Sequence, residues 1–506
     1  MARSRSFLID TNVVIQLEDD KPVQAEFSEM MRRCQEHTVA LSVHEASEED
    51  VRRDRNPNRR TITLSKIAKF ERIKGVSTPP EAILASRFGA IKDDHDRVDV
   101  LLLNALDRNA ADFLVTEDLG IHRRARQAGL QDRVFRVKDA LDWLIGTFEP
   151  QPVPLPYIVE RRCYQLDKND PIFDTLRQGY PDFDDWFARV ARRPCWCLEV
   201  GGQIAGIVIR KDDEPRSETD ATLPGSKILK VSTFKVKETF RGEKFGEHLL
   251  KQILWYAQLN QYDLVYLTAY ANDQEILADL LQQYGFQATA VKASADGDEQ
   301  IYEKQMQRGP VTARTMPLAD DLARYPCFRE DDVVQAICVP IQPQWYRVLF
   351  PENAPQMSLL DASIEQNTER TPGNTIRKVY LCHAQMKSVN PGDILLFYLS
   401  GNEIGSGNVR TVGIVEKMTE ISDPEALLRA TGRRSVYTEK QQLGMLHQSQ
   451  SPIKVVDFIL VGHLKNAVPL GLLNAIGALK GAPQSFTRMN KDAYRTLDVH
   501  ALLGYA

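Results

Sequence analysis

Three short apolar runs, "FLIDTNVVI" at 7–15, "TVALSV" at 38–43 and "DFLVTED" at 112–118, are separated by segments of helical period. Strand-length runs alternating with helices predict a parallel sheet with helices on its faces. Just before the third run, "DDHDRVDVLLLNAL" predicts a helix with Val98, Leu101, Leu102 and Ala105 on its apolar side. Further on the pattern changes. "WCLEVGGQIAGIVIRK" predicts a hairpin turning at Gly201-Gly202, followed by the strand "KILKVSTFKV" and an amphipathic helix with Leu249, Leu250, Ile253 and Leu254 on one side. The strand "YDLVYLTAYAND", the helix "QEILADLLQQ" and a returning "YGFQATAV" follow. From about residue 333 the chain is a series of short β-rich runs, two of them joined through Pro391-Gly392-Asp393, and that spacing predicts a small barrel.

Two joints divide these patterns. "FEPQPVPLPY" carries four prolines in ten residues, and a weaker break lies in "QRGPVTARTMPLADD". The expected domains are therefore 1–149, 156–306 and 325–506, a count that also suits 506 residues. No apolar run approaches a membrane span of roughly 20 residues, and the start has no secretory apolar core. Seven cysteines without a C-x-x-C pair fit reduced thiols in a cytoplasm. Cys195 and Cys197 are read as core thiols, with a zinc site as the second reading. A net charge of −5 gives no overall attraction to nucleic acid, so such binding would need local basic patches.

Function in parallel sheets gathers at the carboxyl ends of the strands. Asp10 lies near the end of the first run and Asp118 follows the third. Asp93, Asp94 and Asp96 fall in a helical first turn, where the dipole explains them, but Asp99 lies about a turn deeper between two valines. After the second run, "SVHEASEEDVRRD" places Asp50 just before Val51, with Glu48 and Glu49 as its neighbours. Carboxylates that converge repel one another unless a cation neutralises them, and a hard divalent ion suits an all-oxygen set. These pieces, "LIDTNVVI", the acid ending "LSVHEASEEDV", the Asp of "DVLLLNAL" and "LVTED", resemble the PIN-domain nucleases over residues 5 to 145. The resemblance implies Asp10, Asp50, Asp99 and Asp118 as catalytic ligands of Mg²⁺ or Mn²⁺, with Glu48 or Glu49 as alternatives to Asp50. Asn12 and Thr116 would support them. A PIN-like scaffold without activity is the alternative.

In the middle region the turn "RGEKFG" leads directly into a helix, and backbone N–H groups at a helix start form an anion site suited to a pyrophosphate. With "NDQEILADLLQQYGF", the region 160 to 306 resembles the GNAT acetyltransferases. That implies an α+β mixed sheet and acetyl-CoA held by Arg241, Gly242, Lys244, Gly246 and Asn272, with Phe234 and Val236 along the pantetheine arm. Lys244 stands where the family's middle glycine would be. The family's usual tyrosine aligns with Leu281, which leaves Tyr284 as substitute general acid. Glu199 and Glu238 are candidate bases.

"NPGDILLFYLSG" with a returning "VGIVE" strand looks like the PUA-related group that includes ASCH and EVE domains, which implies RNA or nucleobase binding. From residue 338 onward 17 Lys and Arg face 14 Asp and Glu, so a broad electrostatic grip is absent and an aromatic pocket is needed. Tyr380, His383, Phe397, Tyr398, Arg410, Phe486 and Arg488 are candidates. The expected fold class is thus α/β multidomain: a PIN-like parallel α/β/α sheet, a GNAT α+β mixed sheet and a PUA-like small β-barrel. The leading functional expectation is an RNA-directed enzyme that couples a PIN ribonuclease to an acetyl-CoA-binding module. It would be a bacterial toxin or RNA-modification factor, with tRNA or mRNA as partner and with an antitoxin protein or an oligomer as further partners. The alternatives are an acetyltransferase acting on a tRNA-linked or protein amine, and a non-catalytic RNA-binding regulator.

Overall fold

The computed structural model describes residues 5–15, 22–149, 153–154, 156–214, 219–240, 243–270, 274–293, 298–307, 311, 320–353, 367–368, 373, 375–386, 389–401, 405–432, 434–448 and 451–504. They fall into two compact units. The first comprises residues 1–151 and 421–450, the second 152–420 and 451–506. Among the described residues no helix is long and apolar enough to cross a membrane.

The first unit is built on strands β1 (Ser6–Ile9), β2 (Ala40–His44), β3 (Glu71–Ile73), β4 (Phe113–Val115) and β5 (Val134–Phe135), in the order β3-β2-β1-β4-β5 and parallel throughout. Side chains alternate across a strand, and here both faces are apolar. Phe7, Ile9, Phe113 and Val115 pack with Phe27, Met30 and Trp143 of the helices Pro22–Glu36 and Val137–Phe148. Leu8 and Leu114 face the other way, against Leu84, Leu102 and Ile121 of three further helices. The result is the expected parallel α/β/α sandwich.

Residues 421–450, which the sequence reading put in the last domain, supply this unit with the helices Pro424–Thr431 and Glu439–Gln448. Arg429 pairs with Asp112 at 2.9 Å and Arg434 with Asp132 at 2.8 Å. Between them Gly432 has φ +50°, and a Cβ there would lie 2.6 Å from the Asp132 carbonyl oxygen, so the approach needs glycine. Asp112 and Asp132 lie at the amino ends of β4 and β5, so the excursion is fixed to the edge opposite the strands' carboxyl ends.

The second unit holds two large sheets and the short antiparallel pair β6 (Val153–Pro154) and β15 (Asn367–Thr368). Strands β7 (Tyr157–Arg162), β8 (Pro194–Val200), β9 (Gln203–Glu214), β10 (Ile228–Val236), β11 (Leu264–Tyr270), β12 (Gln287–Lys292) and β13 (Glu299–Gln305) form a seven-stranded sheet. Its order is β12-β13-β11-β10-β9-β8-β7, and β10 with β11 is its parallel pair in an otherwise antiparallel ladder. A parallel pair needs a crossover, and the helix Phe245–Leu259 provides it. That helix packs closely on β9 at Gly206, where a Cβ would lie 2.8 Å from Leu249 Cδ1. Cys163, Cys195 and Cys197 are buried in the apolar cluster under β8, which agrees with core thiols.

The other large sheet has the order β16-β19-β18-β17-β14-β20, made from β14 (Ala336–Ile341), β16 (Arg377–Cys382), β17 (Ile394–Leu399), β18 (Asn408–Ile421), β19 (Ile453–Pro469) and β20 (Thr487–Arg488). The expected barrel is not found. Among the described residues the sheet is open, with β16 and β20 at its edges, and β20 is two residues long, too short to carry a ladder round to β16.

Lys304 of β13 is buried and donates to the carbonyl oxygens of Tyr284 and Ala323 at 2.6 and 2.5 Å. Burial pushes its ammonium down to about 7. The unfolded chain therefore binds the extra proton above pH 7, and stability should rise with pH in that window. Urea unfolding of this unit at pH 7 and pH 8.5 should show that rise in the native chain and a smaller one in Lys304→Met; equal slopes would contradict it.

Candidate functional site

In the order β3-β2-β1-β4-β5 the chain runs outward from β1 on one side and from β4 on the other, so the crevice lies at the carboxyl ends of these two strands. Asp10 directly follows β1 and is buried. Thr116 directly follows β4, and its hydroxyl donates to Asp10 Oδ2 at 2.7 Å while accepting from Asn12 Nδ2 at 3.2 Å and from the Asp118 N–H at 3.0 Å. Asp118 caps the helix Leu119–Gln127 and accepts from Ile121 N–H. Asp99 comes from the middle of the helix Asp94–Asp107.

The Asp118 charge acts on Asp10, and the Asp10 and Asp118 charges act on Asp99. Burial, opposed by Thr116 and aided by the Asp118 charge, pushes Asp10 up to about 6. Burial, then Asp10 and Asp118, pushes Asp99 up to about 7 against the pull of Arg124. The structure thus brings Asp10, Asp99 and Asp118 together, with Asn12 and Thr116 as supports. Asp50 is placed differently: its Oδ1 is 3.3 Å from His95 Nδ1, and it is not among the charges that act most on Asp10 or Asp99. Of the alternatives, Glu48 is paired with Arg52 and Arg72, and Glu49 is exposed. Glu45, which the sequence reading passed over, directly follows β2 and therefore lies at the same sheet edge, where it accepts from Gly75 N–H at 3.0 Å. Its position one residue past the second strand was the available signal.

An all-oxygen, mutually repelling set with the buried Asn12 Oδ1 lacking a hydrogen-bond partner fits a hard cation. The fit is loose. Among the described residues, the acids and histidines whose ligand atoms all lie within 4.8 Å are instead Glu36, His37 and Glu149, where Arg33 also pairs with Glu149 and a surface ion-pair cluster is sufficient explanation.

In the second unit, the turn after β10 leads into the helix Phe245–Leu259. Lys244 caps it at φ 59°, ψ 23°, in the left-handed region that favours glycine. The family's middle glycine thus stands at a position with a backbone reason for it, which Lys244 fills as an exposed cation. Gly246 lies in the first helical turn, where N–H groups have no partner within the helix. Phe234 and Val236 are half-buried on β10. Arg241, Gly242 and Asn272 lie outside the described residues.

Tyr284 is not placed as a proton donor to a ligand. It is 2% exposed, its hydroxyl donates to Glu247 Oε1 at 2.7 Å, and burial with the Glu247 charge raises it well above the usual phenol range. Leu281 is buried. Of the candidate bases, Glu199 is bound by Tyr157 and Arg161, and Glu238 is exposed. A different group gathers at the carboxyl end of β11. Tyr270 ends that strand and is paired in register with Glu299, which begins β13. Glu299 is 9% exposed and accepts from the Tyr180 hydroxyl at 3.1 Å, and the Tyr180 and Tyr270 rings lie 5.1 Å apart. Tyr180 is 119 residues from Glu299, so sequence spacing gave no sign of the set.

The model of the acetyltransferase (GNAT) family matches residues 160–286. These residues form a GNAT domain. Solved structures similar to parts of the chain include an ASCH protein from Zymomonas mobilis, at 15% identity and TM-score 0.24, covering 34% of this chain and 96% of that one. A GNAT family acetyltransferase from Elizabethkingia anophelis with acetyl-CoA bound matches at 16% identity and TM-score 0.22, covering 29% and 98%. An IAA acetyltransferase from Bacillus cereus matches at 15% identity and TM-score 0.23, covering 29% and 99%. A comparison with curated proteins found no match.

The nucleobase candidates of the open sheet are mostly interior. Phe397 and Tyr398 are buried, Tyr380 donates to the Pro340 carbonyl oxygen at 2.7 Å and stacks on Phe486, and Arg410 is held by Asn408 and Gly405.

If repulsion dominates at the acidic crevice, removing one charge should stabilise the first unit. Asp99→Asn should raise its unfolding free energy at pH 8 by about 1–2 kcal/mol, and millimolar Mg²⁺ should raise the melting temperature of the native chain more than that of the variant. A variant that melts lower, with no loss of the Mg²⁺ response, would sink the reading.

Proposed function

We propose that the chain is an acetyl-CoA-dependent N-acetyltransferase whose acceptor is an amine. The observation that supports this best is the anion-suited turn with Lys244 in the left-handed conformation, placed at the start of the crossover helix between the parallel strands β10 and β11 of a GNAT domain. Acetyl-CoA supplies the thioester whose C–S bond breaks as the new C–N bond forms, and the departing CoA sulfur takes the proton that the acceptor nitrogen loses on becoming an amide. The first-turn N–H groups and the Lys244 ammonium hold its phosphates. Glu299 receives the proton given up by the acceptor ammonium, and the Tyr180 hydroxyl fixes the carboxylate that does so. The two tyrosine rings offer their faces to the cation before it is deprotonated.

A metal-dependent ribonuclease in the first unit is the second reading, favoured by the coupled Asp10, Asp99 and Asp118 carboxylates at the switch point. A divalent ion there would supply an activated water and stabilise charge on a phosphodiester. Asp10, Asp99 and Asp118 would hold it, Thr116 and Asn12 would orient Asp10, and RNA would be the substrate.

Calorimetry should show acetyl-CoA binding to the native chain, and label from acetyl-CoA should pass to a small panel of polyamine, aminoacyl and lysyl acceptors. Glu299→Gln should bind acetyl-CoA normally yet transfer about 10²-fold more slowly; unchanged turnover would remove Glu299 from the reaction. For the second reading, total RNA with Mg²⁺ should be cut by the native chain and left intact by Asp10→Asn, and cutting by both would point to a contaminant.

A further inference from the structure

The crossover helix Phe245–Leu259 presents the anion-suited turn, and two of its polar side chains face away from its own sheet. Glu247, in the first turn, accepts through Oε1 from Ile376 N–H at 2.7 Å and Arg377 N–H at 3.4 Å, at the start of β16, besides the Tyr284 hydroxyl. One turn later Lys251, 1% exposed, lies with Nζ 3.1 Å from Glu352 Oε2. Glu352 is also bound by His463 of β19 at 3.1 Å, and Trp255 meets the His463 ring edge-on at 5.5 Å. Burial would raise the Glu352 carboxyl, but the Lys251 and Lys378 ammoniums around it hold it well below the usual carboxylate range. His463 passes the connection inward to Thr411 at 2.8 Å, and Thr411 to the buried Tyr346 at 2.6 Å.

These bonds are specific in a way that apolar packing is not. A half-buried carboxylate that accepts two backbone N–H groups, one turn from the buried Lys251, tolerates little displacement, because a shift of about an ångström breaks those bonds and disturbs the Lys251–Glu352 pair. The first turn of the helix therefore cannot move without disturbing the start of β16. It is the same turn that offers N–H groups to a phosphate.

We infer that the six-stranded sheet sets the affinity of the GNAT domain for acetyl-CoA, with Glu247 and Lys251 as positioning residues that hold the anion-binding turn in register. This rests on the acetyl-CoA reading above. It follows that acetyl-CoA and the start of β16 are thermodynamically linked: what tightens one tightens the other.

The full-length chain tests this in two ways. In the native protein, saturating acetyl-CoA should slow hydrogen exchange at the Ile376 and Arg377 amides, which a merely structural contact would not do. By calorimetry and steady-state kinetics, Glu247→Ala should weaken acetyl-CoA binding about tenfold and raise its KM by a similar factor with kcat and the acceptor's KM little changed. Glu247→Gln keeps an acceptor for both N–H groups and should restore most of the affinity. Lys251→Met, which removes the cation but keeps the volume, should give an intermediate loss. Acetyl-CoA binding by the native chain with no change in exchange at 376–377, or with equal affinity in a folded Glu247→Ala, overturns the inference alone. Failure of the native chain to bind acetyl-CoA overturns the acetyltransferase reading and the inference with it. Should Glu247→Ala fail to fold, the exchange experiment on the native chain decides.

Discussion

The structure of the second unit turns on a helix that is buried on more than one side. A surface helix hides one stripe and gives the other to water, so its charged residues cost nothing. Phe245–Leu259 meets the seven-stranded sheet at Leu249, against Gly206, and the six-stranded sheet at Trp255, against His463, and Lys251 is buried on it as well. A charge left alone there would cost several kcal/mol. The chain meets this with Glu352 from a short turn, which pairs with Lys251 and is held in turn by His463 of β19, while the N–H groups that open β16 bind Glu247. The second sheet is thus part of the environment that the GNAT domain folds into, and Tyr284, which the family pattern offers to catalysis, is used in this joint.

The first unit shows the opposite treatment of buried charge. Burial raises Asp10 and Asp99, and the neighbouring charges, Asp118 on the first and Asp10 with Asp118 on the second, add to it. Elsewhere in the same unit acids are neutralised carefully: Glu48 has two arginines, and Asp112 has Arg429 as well as the Ser6 N–H. The unit pairs these two acids and leaves three at the switch point, where their charges raise the proton affinity of Asp10 and Asp99 and where parallel sheets carry their chemistry.

What the sequence made legible was local and periodic. The strand ends that carry Asp10 and Asp118 follow from apolar runs that stop at a polar residue, and Asp99 stood out because a helix dipole did not account for it. The hairpin at Gly201-Gly202 and the loop-to-helix step at Lys244 were legible for the same reason, since turns are short-range chemistry. Long-range facts were hidden. Glu247 and Lys251 gave no signal, because the groups they meet are far along the chain: Ile376 lies 129 residues from Glu247 and Glu352 lies beyond the next sheet strands. The alternation of the last third revealed strands but not their closure, which depends on whether the edge strands reach one another. The second acid of the first unit was left open by the sequence: in an acid-rich stretch Glu45 directly leaves the strand while Asp50 lies on the following helix beside His95.

The excursion between β18 and β19 is the least expected feature and bears on how the acidic crevice is left available. A loop joining neighbouring strands needs only a few residues, whereas here about thirty are spent on two helices that belong to the other unit. Their anchors, Asp112 and Asp132, lie at the amino ends of the parallel strands, and Gly432 is needed because the chain comes within contact of the Asp132 carbonyl. Arg434 is almost wholly buried in that contact, so a loose association would leave a desolvated guanidinium short of partners, and the docking is favourable only when complete. An attachment of this kind at the carboxyl ends would have covered Asp10 and Asp118. Placed at the opposite edge, it leaves the end that collects the carboxylates uncovered by these helices.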